Sequence, residues 1–427
     1  MAEFYVGAAK REITPALGKN LAGNPIDRSG PACRVDTPLY VRVISMFHKE
    51  ERILMISADL LAVDLAFTDA LRERINKKYG VPHENIMTLT THTHGGPEGI
   101  LQTFGGLDTP DNDLICYYRE LFLRAVDEAI TNEKPAKFGV GSEPIEGIAS
   151  NRRALEGPIN PNVTVLKFDD ENNRPLAALI HYTCHPTLGN FEYAYTADFP
   201  GYAAGLLEEQ FGQGFVCLYA NGAAGDISTR FTRKALGNDE ARRMGIMLGE
   251  KALSILNTIE TGEPKALGVS RQKIRLNMRK FPPLNVLLDM EKHIVEKIEE
   301  GKKLNLPQAQ QRTLEIDLVG TQMARMYVES MKNQYFITET QAIALDEFVI
   351  IGVPGELFVE EGKKITKALD DRSIVIGYAN DYIGYLMPAE ELEKGGYEAL
   401  TAVIDPNEIP RLVNLSIQTG KAALKNH

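Results

Sequence analysis

The feature that most constrains the fold of this chain is a series of short, almost uninterrupted apolar segments that alternate with amphipathic ones. Strands covered on both faces have this character, because neither face meets water. The segments that we predict to be strands are 40–47, 53–63, 86–94, 163–168, 176–185, 215–220, 348–353 and 373–379. The segments that we predict to be helices are 68–80, 116–132, 239–259 and 406–424. The alternation predicts an α/β protein in which mixed, multi-stranded sheets are flanked by helices.

One charged segment, at about 285–333, departs from this pattern. It carries Met290, Ile294 and Ile298 at helical spacing, and Pro307 divides it into two parts. We interpret it as a helical hairpin inserted into the α/β body. A solvated helix pair is the simplest interpretation, and a lid over an active site or a dimer contact are the alternatives. The sequence has no linker, repeat or low-complexity tract, so we predict one catalytic domain spanning 1–427.

Composition excludes several classes of function. The net charge is −11, from 58 acidic and 47 basic residues, and no basic block is present, which argues against nucleic acid as a partner. No apolar run is long enough to span a membrane, and the N-terminus lacks the apolar segment of a signal peptide. The four cysteines lie far apart and are interpreted as reduced thiols (Cys33, Cys116, Cys184, Cys217). We therefore predict a cytoplasmic protein that binds a small molecule, with homo-oligomerisation left open.

Four of the eight histidines lie at the ends of two predicted strands. His92 and His94 in THTHGGP are two residues apart and would share one face of a strand. HYTCHPT brings His181 and His185 to a second strand end. Because neutral imidazole is the commonest metal ligand, the pattern indicates a metal site. The alternatives are a hydrogen-bonded structural pair in the first motif and a packed core histidine in the second; Cys184 would face away from His185 and is not favoured as a ligand.

Three further motifs carry polar side chains at strand ends. FVCLYANGAAGDIS leads to Asp226 and Ser228, but the serine does not lie in a GxSxG elbow. VIIGVPGELF delivers Glu356 through a Pro-Gly turn. The segment GYANDYIGYLMPAEELEKGGYEA, residues 377–399, is rich in tyrosine and acids. Each motif taken alone fits an ordinary strand end.

In this order, THTHGGP, HPT, NGAAGDIS, PGE, NDYIGY and GGYEA resemble the motifs of the neutral/alkaline, non-lysosomal ceramidase family. Three flanking segments agree with it: VGAAKREITP, SNRRALEGPINPNVTVLKF and DFPGYAAGLLEE. The resemblance runs from about residue 4 to about residue 415 and covers the helical hairpin least. It implies a fold similar to the N-terminal catalytic domain of that family, in a short form without the C-terminal β domain.

The resemblance also implies an activity and a site. It implies a zinc-dependent hydrolase that cleaves the C–N bond of an N-acyl amide, with zinc-bound water attacking the amide carbonyl. One Zn²⁺ per chain would be held by four residues (His92, His185, Glu356, Tyr385). Catalytic roles would fall to four others (Ser228, His94, Tyr397, Arg152). Ceramidases act on linear amides, so a role in lipid metabolism comes with the resemblance.

Several points stay open at this stage. Ser228 could be a nucleophile or could hydrogen-bond the substrate, and we favour the second because no histidine is paired with it in sequence. Asp198 or Asp226 could orient ligand histidines, and Asp198 could instead cap a helix. Gly95 and the pair Thr229-Arg230 depart from the family pattern, which makes ceramide itself uncertain as the substrate. A metal-dependent esterase or phosphatase and a non-catalytic metal-binding protein are the alternative functions.

Overall fold

A computed structural model describes residues 3–23, 30–102, 109–189, 192–330 and 333–426, apart from the side chains of residues 308, 309 and 312. Residues 331 and 332 of the predicted hairpin, and the two ends of the predicted domain, lie outside the described residues. The strands are β1 (Phe4–Glu12), β2 (Arg34–Val35), β3 (Tyr40–His48), β4 (Glu51–Ala58), β5 (Ile86–Thr90), β6 (Lys134–Pro144), β7 (Ser150–Asn151), β8 (Asn162–Asp170), β9 (Pro175–Tyr182), β10 (Ala194–Tyr195), β11 (Val216–Asn221), β12 (Ile227–Ser228), β13 (Leu267–Asn277), β14 (Tyr335–Leu345), β15 (Phe348–Gly352), β16 (Glu356–Leu357), β17 (Ser373–Ile376) and β18 (Tyr385–Leu386). The α-helices are α1 (Leu65–Tyr79), α2 (Asn112–Thr131), α3 (Asp198–Phe211), α4 (Asn238–Thr258), α5 (Leu284–Lys303), α6 (Gln308–Ser330), α7 (Val359–Lys367), α8 (Ala389–Glu393), α9 (Tyr397–Thr401) and α10 (Ile409–Ala423).

Two large sheets organise the described strands. The first has eight strands in the order β11-β9-β8-β6-β1-β3-β4-β5, and the second has four in the order β13-β14-β15-β17. Only two residue pairs join β1 to β6, so the eight-stranded sheet consists of two four-stranded halves. Parallel pairs (β4 with β5, β9 with β11, β15 with β17) occur among antiparallel ones. The prediction of mixed, multi-stranded sheets with flanking helices is confirmed.

Strands of both sheets are buried on two sides. In β4, Ile53 and Met55 join a central apolar cluster shared by both halves of the eight-stranded sheet and by the four-stranded sheet. The intervening Leu54 and Ile56 join a second cluster that contains α1 and α2. Further outer clusters contain α3 and α4, and α7 and α10. This burial on both faces explains why the strand sequences are apolar at successive positions.

The predicted hairpin is present as α5 and α6, and α6 packs against α9. A Cβ atom at Gly320 of α6 would lie 2.3 Å from Cβ of Leu400 in α9, so the two helices touch at this point. Tyr327 of α6 is 1% exposed and lies beside Phe281, with ring centroids 6.0 Å apart. The hairpin is therefore more than a solvated pair, because α6 supports the element that carries Tyr397. None of the described helices combines the length and the apolar character that a membrane crossing requires.

The contact between α3 and α4 yields a matched test. A Cβ atom at Gly245 of α4 would lie 2.4 Å from Cβ of Tyr202 and 2.7 Å from the carbonyl oxygen of Phe199, whereas one at Gly205 of α3 would meet nothing within 4 Å. We expect Gly245→Ala to lower the free energy of unfolding by about 1–3 kcal/mol through overpacking. Gly205→Ala should raise it by up to about 1 kcal/mol, because alanine favours the helix. Urea unfolding measures both, and equal shifts would contradict the packing described.

Candidate metal centre

The histidine motifs lie in loops rather than on strands. Strand β5 ends at Thr90, and His92 follows in the left-handed region with φ 63°. Its amide donates to the carbonyl of Leu60, so it has left the sheet. Strand β9 likewise ends before His185, which forms an isolated bridge with Ser228. The prediction that each histidine pair shares the face of a strand is wrong, because β5 and β9 both end before the second histidine of the pair.

Three histidines nevertheless meet. The ligand nitrogens of His92, His94 and His185 all lie within 4.8 Å of one another. The ring centroid of His92 is 4.8 Å from that of His185 and 5.1 Å from that of His94. His92 and His185 are each 1% exposed, and His94 is half-buried. His181 points elsewhere, since its Nε2 lies 2.9 Å from the carbonyl oxygen of Val375. The histidine cluster can therefore hold a metal ion, and His181 is the packed histidine of its motif.

Main-chain carbonyls fix the protonation of the cluster. Nδ1 of His92 lies 2.8 Å from the carbonyl oxygen of Leu61, and Nδ1 of His185 lies 2.6 Å from that of Ala224. Because a carbonyl only accepts, each Nδ1 carries a proton, and in the neutral ring the lone pair then lies on Nε2. His94 repeats the arrangement, with Nδ1 3.0 Å from the carbonyl oxygen of residue 23. Within the described part of the chain, Nε2 of His92 and of His94 has no hydrogen-bond partner.

Burial keeps these imidazoles neutral. Desolvation lowers the pKa of His92 and of His185 well below the ordinary value, and it lowers the pKa of His94 to about 3. The loss of hydration on burial disfavours the charged imidazolium, and it is the largest cause of the lowered pKa at all three histidines. The cluster therefore presents lone pairs rather than protons.

Glu356 completes a group of acceptors. Its Oε2 lies 2.9 Å from Nε2 of His185 and 3.7 Å from Nε2 of His92, and the side chain is almost wholly buried. Its Oε1 accepts a hydrogen bond of 2.6 Å from the hydroxyl of Tyr382. A carboxylate and two imidazole lone pairs thus face one another in a buried space. A cation between them would satisfy all three, and nitrogen and oxygen ligands of this kind are those of zinc sites.

Tyr385 is brought to Glu356 by the short parallel pair β16 and β18, in which these two residues are direct partners. Its hydroxyl accepts a hydrogen bond of 2.9 Å from Nη2 of Arg152. Burial raises the pKa of this phenol well above its ordinary value, and Arg152 opposes that rise. Arg152 also lies within ion-pair distance of Glu398, 2.7 Å from Nε to Oε1. Burial lowers the pKa of the guanidinium, but Tyr385 and Glu398 outweigh it, so Arg152 stays charged.

Tyr397 and Ser228 lie at the edge of this group. The ring of Tyr397 meets that of Tyr385 edge-on, with centroids 6.1 Å apart, and burial raises the pKa of Tyr397 to about 12. Oγ of Ser228 accepts a hydrogen bond of 3.2 Å from the amide of Arg230. Among the described hydrogen bonds, this hydroxyl has no histidine partner. The geometry gives Ser228 no adjacent general base.

The two aspartates considered for orienting the histidines have other partners. Oδ2 of Asp198 accepts hydrogen bonds from the amides of Leu188 and Gly189, 2.7 and 2.8 Å long, and so holds the loop that follows His185. Asp226 accepts from the amide of Val359 and from Nδ2 of Asn151, both at 2.8 Å. Asp198 orients no histidine, because main-chain carbonyls already occupy the Nδ1 atoms of the clustered histidines. Its Oδ1 accepts a hydrogen bond of 2.6 Å from the amide of Phe199 in the first turn of α3, although the N-cap position belongs to Ala197.

Sequence reasoning left three contributors without a role. Tyr378 stacks on His92, Tyr382 donates to Glu356, and Glu398 pairs with Arg152 and Arg153. All three lie in the tyrosine- and acid-rich segment 377–399, which was the available signal. The segment alone does not reveal which of its side chains turn inward, because it crosses two short helices and a two-residue strand.

Comparisons with known proteins place the chain in a family. The family model described as neutral/alkaline non-lysosomal ceramidase, N-terminal, matches residues 4–242. The neutral ceramidase of Pseudomonas aeruginosa is 23% identical over 422 residues, covering 83% of this chain, and that of Drosophila melanogaster is 27% identical over 259 residues, covering 53%. The chain spans 62% and 36% of the length of these two relatives.

A crystal structure of the Pseudomonas aeruginosa neutral ceramidase superposes with a TM-score of 0.78 at 19% identity, covering 100% of this chain and 75% of that one. This similarity establishes a shared fold. The family match spans more than half of the chain and contains the loops of His92, His185 and Ser228. The chain belongs to the neutral/alkaline, non-lysosomal ceramidase family.

Proposed function

We propose that this chain is a zinc-dependent amidohydrolase that cleaves the C–N bond of a linear N-acyl substrate. The observation that carries the proposal is the buried convergence of His92, His185 and Glu356, in which Oε2 of the carboxylate lies 2.9 Å from Nε2 of His185 and 3.7 Å from Nε2 of His92. These side chains form a ligand set that suits a cation. Membership of the ceramidase family supports an amide as the bond that is cleaved, and it also supports a ceramide-like substrate. A cytoplasmic location remains our prediction.

The proposed ligands are His92, His185, Glu356 and Tyr385, holding one Zn²⁺ per chain. Two imidazoles and a carboxylate are ordinary zinc ligands, and the register of β16 and β18 brings the phenol of Tyr385 beside the carboxylate. A bound zinc ion would polarise the substrate carbonyl and lower the pKa of water at the site. His94 is the alternative third imidazole, because its Nε2 belongs to the same cluster.

The remaining residues supply binding and proton transfer. The raised pKa of Tyr397 keeps its hydroxyl protonated, so it donates a hydrogen bond to the substrate carbonyl oxygen as negative charge develops there. Arg152 holds a fixed positive charge against Tyr385. His94, neutral and free at Nε2, accepts a proton from the attacking water and returns it to the leaving nitrogen. Water and amide thereby yield a carboxylic acid and an amine.

The ligand geometry alone does not distinguish an amide from an ester or a phosphate, because all three present an oxygen to a Lewis acid. Parallel assays on an N-acyl amide, the matching ester and a phosphate monoester separate them. We expect turnover of the amide. Turnover confined to the ester or the phosphate would overturn the assignment of the bond, and a protein that holds zinc without turnover of any of the three would be a metal-binding protein.

The metal assignment is tested with two matched histidine variants. His92→Ala removes a proposed ligand, whereas His181→Ala removes a buried histidine outside the cluster. We expect about one zinc per chain in the wild type and in His181→Ala, and none in His92→Ala. Amide turnover by His92→Ala should fall by more than about 100-fold, since even residues that only orient ligands cost 10–100-fold. Full zinc content and activity in His92→Ala would contradict the site, as would a zinc-free wild type that is active.

The role of Ser228 gives a further prediction. Because its hydroxyl has no adjacent base, we expect it to hydrogen-bond the substrate rather than to form an acyl-enzyme. Ser228→Ala should lower kcat/KM by about 10-fold, the effect of one hydrogen bond of roughly 1.4 kcal/mol. Ser142→Ala, on β6, serves as the control that leaves kcat/KM unchanged. An acyl adduct on the wild type in intact-protein mass spectrometry, absent from Ser228→Ala, would refute this role.

A further inference from the structure

The ring of Tyr378 is stacked on the ring of His92. Their centroids are 3.9 Å apart and their planes are inclined by 19°. Tyr378 is 0% exposed, and its hydroxyl has no hydrogen-bond partner among the described atoms. The same ring meets His185 edge-on, with centroids 6.3 Å apart at 90°. One aromatic side chain thus contacts two of the three clustered histidines.

Both stacked residues have a left-handed backbone. The φ angles are 63° for His92 and 57° for Tyr378. This conformation costs a residue with a bulky side chain on the order of 1 kcal/mol or more, and it persists only where the surrounding structure enforces it. His92 follows a strand of one sheet and Tyr378 follows a strand of the other, and both have left-handed φ angles. The surrounding structure therefore holds the two stacked residues in this conformation.

The link that enforces it joins β5 to the segment after β17. Leu89 forms an isolated bridge with Ala379. The amide of Thr88 donates to Oδ1 of Asn380 at 2.9 Å, and the amide of Asn380 donates back to the carbonyl of Thr88 at 2.8 Å. The residues immediately before His92 and those immediately after Tyr378 are therefore tied together. The stacking of Tyr378 on His92 is a further contact between the same two segments.

The hydrogen bond from Nδ1 of His92 to Leu61 fixes one edge of the imidazole. The plane of the ring, and with it the direction of the Nε2 lone pair, needs a second contact. We propose that Tyr378 is a positioning residue that sets the plane of His92 through its aromatic face, an inference that rests on the proposed role of His92 as a zinc ligand. On this proposal, the aromatic ring of Tyr378 orients the imidazole, and its unpartnered hydroxyl is not needed for that role.

The test compares three variants. Tyr378→Phe keeps the ring and removes the hydroxyl, and Tyr378→Leu removes the ring. Tyr118→Leu is the control, because Tyr118 is also 0% exposed with an unpartnered hydroxyl but belongs to α2, in the apolar cluster that α2 shares with α1. The readouts are zinc affinity by chelator competition, the visible spectrum of the Co²⁺-substituted protein, and urea unfolding.

We expect Tyr378→Phe to bind zinc within about 3-fold of the wild type and to keep its cobalt spectrum. Tyr378→Leu should weaken zinc binding by about 10–100-fold, the cost typical of losing a group that orients a ligand, and should alter the spectrum. Tyr118→Leu should lose stability while keeping both metal readouts. Should Tyr378→Leu fail to fold, Tyr378→Met supplies a flexible apolar side chain that adapts to the space without an aromatic face, and it is expected to behave in the same way.

The outcomes separate this inference from the proposed function. Wild-type zinc affinity and spectrum in Tyr378→Leu or Tyr378→Met would overturn the positioning role and leave the zinc site standing. A Tyr378→Phe protein as defective as Tyr378→Leu would overturn the assignment to the ring. A wild type that binds no zinc overturns the proposed function itself. Metal readouts that change equally in Tyr118→Leu would reduce the effect to general destabilisation.

Discussion

The candidate metal centre depends on the buried ε-nitrogens of two histidines and on the side chain of Glu356 that they face. Main-chain carbonyls take the Nδ1 protons of His92 and His185, and the ε-nitrogens are left facing the carboxylate of Glu356. Protonation of the imidazoles would give the ε-nitrogens a hydrogen to donate to Glu356, but burial lowers the pKa of both rings well below the ordinary value. Arg152 is the charged side chain bonded to Tyr385, and it is already committed to Glu398. A cation would stabilise the group by binding the carboxylate and the imidazole nitrogens together, so the fold and the proposed chemistry meet at this point.

Side chains hold the histidine loops in addition to the isolated bridges that join them to neighbouring segments. Asp198, itself at φ 53°, accepts two amide hydrogen bonds from the loop after His185. Asn380, at φ 63°, exchanges two hydrogen bonds with Thr88 ahead of His92. Strained non-glycine backbone persists where the surroundings over-determine it, which is typical of functional sites. The polar residues nearest the cluster therefore act mainly as clamps on its loops.

The sequence predicted the sheets well because burial on both faces leaves a direct mark in the order of residues. It predicted the meeting of the histidine loops for the wrong reason, since the strand-face argument assumed that β5 continues to His94. Left-handed backbone at His92 has no local signal of the kind that glycine gives. The pairing of Glu356 with Tyr385 joins distant segments through two-residue strands, which are too short to leave a periodic pattern. The resemblance to a family supplied what periodicity could not.

The clustered histidines and Tyr397 are supported by different parts of the molecule. The loops of the histidines follow strands of the eight-stranded sheet. Tyr397 is the first residue of α9, and Leu400 of the same helix packs against Gly320 of the inserted hairpin. Nη2 of Arg279, just before the hairpin, donates to the carbonyl of Leu400 at 3.0 Å. Changes in the hairpin can therefore shift the proposed oxyanion donor while the histidine loops stay in place, and Tyr385, whose ring meets that of Tyr397, links the two parts.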